Sequence, residues 1–223
     1  MSAILGSVSD DPATEPATVR RAAAARRRRA ILAGHAGDLD QARRGWRDVD
    51  PDVRAAALGA LARMGALGVA DIAEALGAPD ASIRRRATDA ALSVRGAGSR
   101  STLYELVSSS LGDDDPLVVV GAAWFLGERR VRTAVDLLCG IAQQHSDVRC
   151  REAAVAALGA IGDPSGLPAV IAALDDKPTI RRRATVALAG FDDPRVEPAL
   201  QKSAEDRDWQ VRQAADELLA GDE

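Results

Sequence analysis

Side chains able to do chemistry are few and scattered along this chain. His35 and His145 are the only two histidines, and neither is followed by a Glu. No facing pair of His and carboxylate ligands can therefore be assembled into a metal shell. Cys139 and Cys150 match no metal-ligand or redox spacing, and both fall inside apolar helical patterns, where a cysteine packs as a small hydrophobe. No glycine-rich phosphate loop or nucleophile elbow occurs; the glycines stand where helices should end. Catalytic residues, metal ligands and cofactor contacts are all expected to be absent, and the chain reads as a non-enzyme. What the sequence does concentrate is arginine. Arg20, Arg21, Arg26, Arg27, Arg28 and Arg29 fall within ten residues. Such a cluster can make salt-dependent phosphate contacts but reads no bases, and it equally suits a solvated capping helix.

The elements that must carry these residues follow from composition and periodicity. Of 223 residues, 47% are hydrophobic but only 3% aromatic, so the apolar content is mostly Ala, Leu and Val, a helix-packing vocabulary. No apolar run approaches the ~20 residues that cross a bilayer. Met1 to Pro16 has neither a basic start nor a hydrophobic signal core, so a cytoplasmic location is expected. The net charge of −4, with the arginines gathered at one end, leaves the rest of the chain acidic and argues against a protein that coats nucleic acid along its length.

A dipeptide of one apolar residue and Arg recurs as Val53-Arg54, Ile83-Arg84, Cys150-Arg151, Ile180-Arg181 and Val211-Arg212. Val118-Val119 stands in the same register without the Arg, and Val19-Arg20 begins a weaker copy. Taking the first residue of each dipeptide as an anchor, the copies repeat every 30 to 35 residues. Four residues after every anchor stands an alanine, from Ala23 and Ala57 to Ala215. Eight residues after it the position is apolar in all but the first copy. Offsets of zero, four and eight share one helical face, so each anchor opens a helix with a buried stripe whose small central residue lets two axes approach closely. Between these helices runs a second amphipathic segment, clearest as Val69, Ile72, Ala73 and Leu76 and as Leu167, Val170, Ile171 and Leu174. Asp50-Pro51, Asp115-Pro116, Asp163-Pro164 and Asp193-Pro194 read as an N-cap followed by a proline preset for the first helical position.

Carboxylates precede the anchors: three residues before them stand Asp50, Asp80, Asp115, Asp147 and Asp208, and five before them Asp48, Asp113, Asp175 and Asp206. They are expected to cap the helices and to partner the first-turn arginines, which otherwise face the positive end of the helix dipole.

The pattern Asp-x-Asp-x-x-(Val/Ile)-Arg-x-x-Ala-x-x-x-Leu, as in Asp48 to Leu61, resembles the second helix of the HEAT-like repeats also found in phycobilin lyases. That resemblance implies an all-α, α-α superhelix: a right-handed HEAT-like solenoid of stacked antiparallel helix pairs. It further implies an Asp/Arg ladder between repeats, interrupted at Val119, and second helices that line a concave partner-binding surface. Related repeats serve as enzymes, but the His-Glu pairs of HEAT-like deoxyhypusine hydroxylases have no counterpart here. Nor is there the aromatic-rich cleft of HEAT-like DNA glycosylases, because Trp46, Trp124 and Trp209 lie in separate repeats.

The expected organisation is a disordered stretch at 1–15, a capping helix pair at 16–47 with a degenerate repeat, and HEAT-like repeats over 48–223. Offsets two, three and six turn away from the buried stripe and should form the binding face: Arg85, Arg86 and Asp89, then Val120 and Trp124, then Glu152, then Arg182 and Arg183. An outward Trp between arginine pairs resembles a binding hot spot, here a groove centred on Trp124 between Arg85 and Arg182. The expected function is a protein-binding scaffold for an acidic or mixed-charge segment. The alternatives are a nucleic-acid or anionic-surface binder led by Arg20 to Arg29, and a phycobilin lyase-type chromophore-transfer factor.

Overall fold

The computed structural model describes residues 17–96 and 100–221. The expectation of disorder over 1–15 lies outside these. Every regular element among the described residues is helical: α1 (Ala17–Ala36), α2 (Leu39–Trp46), α3 (Pro51–Arg63), α4 (Val69–Leu76), α5 (Ala81–Ala91), α6 (Arg100–Ser109), α7 (Pro116–Glu128), α8 (Val135–Gln144), α9 (Val148–Ile161), α10 (Leu167–Ala172), α11 (Pro178–Leu188), α12 (Val196–Ala204) and α13 (Trp209–Ala220), with short 3-10 turns between. After α1 the helices run as six pairs, from α2 with α3 to α12 with α13, and the fold is that of the helical-repeat solenoids.

The second helix of nearly every pair begins for a local chemical reason. Asp50, Asp80, Asp115, Asp147 and Asp208 are the N-caps of α3, α5, α7, α9 and α13, and their side chains accept from backbone N–H groups of the first turn. Pro51, Pro116 and Pro178 stand at the first helical positions, where no N–H is needed. At the other end of α9, Gly162 closes the helix at φ 67, a left-handed conformation that glycine adopts without penalty.

The chain divides into two compact units, residues 1–66 and 67–223. In the first, α1 and α2 pack on α3. In the second, α5, α7, α9, α11 and α13 pack on one another in that order, and the alternate helices α4, α6, α8, α10 and α12 lie against them. The apolar stripe is buried as its period requires: Ile83, Ala87 and Ala91, then Val118, Ala122 and Leu126, then Cys150, Ala154 and Leu158, then Ile180, Ala184 and Leu188. Cys150 is enclosed while Cys139 is half-buried, and burial pushes the Cys150 thiol up to about 11.

Small residues let the stacked helices touch. A Cβ on Gly159 would stand 2.7 Å from Cα of Ala187, and one on Gly127 would stand 2.9 Å from Cα of Ala157. In the first unit, Gly34 meets Cα of Ala60 in the same way, at 2.8 Å.

Candidate functional site

Two features organise the second unit: a line of charge pairs along the loops, and a groove across the exposed face of α7, α9 and α11.

The charge pairs form the ladder. Arg84 donates from Nε and Nη2 to Asp113 at 2.7 and 2.9 Å. Arg151 does so to Asp176 at 2.8 and 3.0 Å, and Arg181 to Asp206 at 2.7 and 2.8 Å. The same arginines use Nη1 on carbonyls of the loop before their own helix: Ala78 and Pro79 for Arg84, His145 for Arg151, Asp176 for Arg181. Each guanidinium thus ties two consecutive loops with bidentate geometry. These bonds hold the carboxyls of Asp113, Asp176 and Asp206 below the usual range.

Three expectations need correction. The ladder Asp belongs to the copy after the Arg, so it does not partner the ladder arginine of its own helix, although the N-cap Asp147 does pair with Arg149 of α9 at 2.7 Å. In the fifth copy the rung falls on Asp176, the residue that closes the 3-10 turn Ala173–Asp175. Asp175 instead faces Lys202 at 2.8 Å. In α1 the ladder residue is Arg26, which donates to Asp48 at 2.8 and 3.3 Å. The degenerate copy is therefore in register six residues later than Val19-Arg20. Gly34 confirms the shift, since it follows Arg26 by the same eight residues that separate Gly127 from Val119 and Gly159 from Arg151. Arg26, one of the six clustered arginines, thus has a structural role.

Where the ladder Arg is replaced by the fully buried Val119, the acceptor in the next copy is replaced too. His145 stands five residues before Cys150, and its Nδ1 accepts from the backbone N–H of Asp147 at 3.0 Å. Asp113 does the same for Asp115, and Asp206 for Asp208. His145 keeps the turn and drops the charge.

The groove has a volume of about 640 Å³. Its apolar lining includes Leu117, Val120, Trp124, Ala153, Ala156 and Ala160, and its charged rim is Glu128, Arg149, Glu152 and Arg183. Trp124 is 47% exposed there. A second hollow of about 330 Å³ shares Glu152 and Arg183 with it and adds Arg182, Val186 and Asp208. Val186 is also half-exposed.

Of the residues expected on the binding face, Val120, Trp124, Glu152, Arg182 and Arg183 are brought together in these two hollows. Arg85, Arg86 and Asp89 stand outside both. Arg85 is engaged with the N-cap Asp115, donating from Nε at 2.9 Å and forming a second, shorter contact, and this holds the Asp115 carboxyl at about 2. Arg86 and Asp89 pair with each other at 3.6 Å on the surface of α5. The groove is accordingly not flanked by Arg85. Glu152 and Arg183 are 3.5 Å apart, so one rim is charge-balanced, whereas Arg182 makes no ion pair among the described residues.

Leu117, Arg149, Thr179 and Gln210 also line the two hollows, and all four stand one residue before an anchor. A residue at that offset lies one turn before offsets two and three and shares their face. Extending the face backwards by one turn would have found them.

The arginine cluster of α1 is partly spent inside the first unit. Arg26 is bound to Asp48, and Arg27 lies 3.5 Å from Asp52. Arg20 also has a partner, while Arg21, Arg28 and Arg29 are exposed and make no ion pair among the described residues.

Comparison with known proteins agrees with this geometry. Residues 104–188 match the family model described as HEAT repeats. Residues 104–188, from α6 to α11, are thus similar to HEAT repeats. No curated protein matches it in sequence. Among solved structures, a designed armadillo repeat protein in complex with the peptide (KR)4 is 16% identical, with a TM-score of 0.60 over 82% of this chain and 98% of that one. The complex of CpcE and CpcF of phycocyanin lyase from Nostoc sp. PCC7120 is 23% identical, with a TM-score of 0.58 over 79% of this chain and 74% of that one. The Escherichia coli protein YibA is 15% identical, with a TM-score of 0.58 over 79% of this chain and 67% of that one. At these identities the likeness is one of fold. No helix among the described residues is long and apolar enough to cross a membrane.

Proposed function

We propose that this HEAT-like chain is a non-enzymatic binding scaffold that holds a segment of a protein partner in the groove of α7, α9 and α11. The observation that carries the reading is Trp124, left 47% exposed beside a run of alanines in a groove of about 640 Å³. A large aromatic over a floor of small residues offers a partner side chain a pocket and an apolar wall, the usual makings of a hot spot. The rim carries both signs of charge, with Arg149, Arg182 and Arg183 against Glu128 and Glu152. A mixed-charge segment with one apolar anchor therefore fits better than a uniformly acidic one. The designed armadillo protein, which carries a peptide on the same class of fold, supports the mode of binding but not the charge of the ligand.

Under this reading residues 16–47 cap the repeats and their arginines keep that end soluble. The ion pairs of Arg26 and Arg27 leave the anionic-surface alternative with a smaller free charge than six clustered arginines suggest. Transfer of a chromophore, as in the lyase, has only the shared fold in its favour.

Trp124→Ala tests the proposal. Because the side chain is half in solvent, Tm should fall by less than about 4 °C, the effect of ~1 kcal/mol in a chain of this size. The proteins that co-purify with the wild-type chain should be lost from the variant. A large fall in Tm with capture intact would show that Trp124 is a packing residue.

A further inference from the structure

A third cavity lies away from the groove, between the end of α5, the start of α6 and the end of α7. Its volume is about 440 Å³, and Arg95, Arg100, Arg129 and Tyr104 line it together with Leu92 and Leu103. Among the described residues, no carboxylate lines it. This is unusual for a chain that has more acidic than basic residues and pairs its loop arginines with aspartates. Arg95 and Arg100 make no ion pair among the described residues. Arg129 donates from Nη2 to the carbonyl of Leu92 at 2.6 Å, but its Nε is buried and makes no hydrogen bond.

The cavity is also built rather than incidental. Phe125, fully buried, takes the ring of Tyr104 edge-on at 6.1 Å and the guanidinium of Arg129 at 5.9 Å. One core side chain thus orders both groups. Three guanidinium groups around one cavity repel each other unless an anion sits among them. The first turn of α6 holds no acidic residue, so its N-terminal end adds to the positive potential.

We propose that this cavity binds a small organic phosphate, its phosphate group held by Arg95, Arg100 and Arg129. Tyr104, Leu92 and Leu103 then face the organic part. A phosphate monoester carries nearly two charges at neutral pH and accepts from several guanidinium donors at once. The volume falls in the range of small-molecule sites and exceeds what a bare phosphate fills. The site is independent of the Trp124 groove.

Phenyl phosphate is the probe, measured by thermal shift and calorimetry on the full chain at constant ionic strength, with inorganic phosphate and benzyl alcohol in parallel. Phenyl phosphate should raise Tm by about 2–5 °C near saturation, more than inorganic phosphate does, and benzyl alcohol should have no effect. The double variant Arg95→Gln, Arg100→Gln alters only exposed side chains and should fold as the wild type, yet weaken phenyl phosphate binding at least tenfold. Arg129 is left in place because it also braces Leu92 and Phe125. Equal binding by wild type and the double variant, or no effect of phenyl phosphate beyond that of added salt, would overturn the assignment.

Discussion

Arg181 shows how much one side chain can hold. It is 5% exposed, bonded twice to Asp206 and once to the carbonyl of Asp176. Replacing it with Met would keep most of the packing but leave a largely buried carboxylate without its guanidinium and a loop carbonyl without its donor, at a cost of about 2–4 kcal/mol. Arg27→Ala removes an ion pair whose two side chains are more than half exposed; its effect should be within about 0.5 kcal/mol. Denaturant unfolding of the two variants side by side measures this contrast. The same distinction separates the arginines of the proposed face, where Arg85 is tied to Asp115 and Arg182 is available to a partner.

At the scale of the element, the ladder and the glycine contacts fix how neighbouring helices lie. Val119 and His145 are the informative exception, because both halves of a rung have changed together. Val119→Arg alone would bury a charge with no acceptor, and His145→Asp alone would place a carboxylate with no guanidinium. Both should destabilise. Together they should rebuild the rung, giving a favourable coupling of about 1–2 kcal/mol in a double-mutant cycle. An additive result would mean that the register linking Arg84 to Asp113 does not extend to this copy. Similar logic explains Arg26. Judged from the sequence it belonged to a solvated or phosphate-binding cluster; in the structure it is the ladder residue of a copy displaced by six positions.

Across the whole molecule, the ladder predicts the response to acid. The carboxyls of Asp113, Asp176 and Asp206 titrate below their ordinary value when folded, and so do the N-cap carboxyls of Asp115 and Asp147, at about 2. A group depressed in the folded state contributes stability above its unfolded pKa and loses it as pH falls through the folded one. Tm should thus be nearly constant from about pH 5 to 8 and decline steadily below about pH 4. Thermal melts across that range check it. The helix pairs, most caps and the buried stripe were legible from the sequence because they rest on local rules: a period of 3.6, Asp before Pro, Ala at the crossing point; Asp193-Pro194 is the exception, since α12 starts only at Val196 with Arg195 as its N-cap. The ladder partners were less so, since an Asp five residues ahead of an anchor can serve its own helix or the preceding copy, and the 3-10 turn Ala173–Asp175 leaves one rung a residue later. The groove was half legible. Trp124, Val120, Glu152, Arg182 and Arg183 followed from helical offsets, but Arg85 was misjudged because its tie to Asp115 bridges two repeats. Leu117 and Arg149 were missed because the face was counted forward from the anchor only.

The most direct test of the central claim is site-specific photo-crosslinking in the cells that make the protein. A photoreactive phenylalanine analogue is placed at Leu117, on the groove, and separately at Arg28, on α1. A discrete partner adduct is expected from position 117, abolished when Trp124→Ala is added, and none from position 28. An adduct from position 28 alone would contradict it and move the binding surface to the arginine-rich helix.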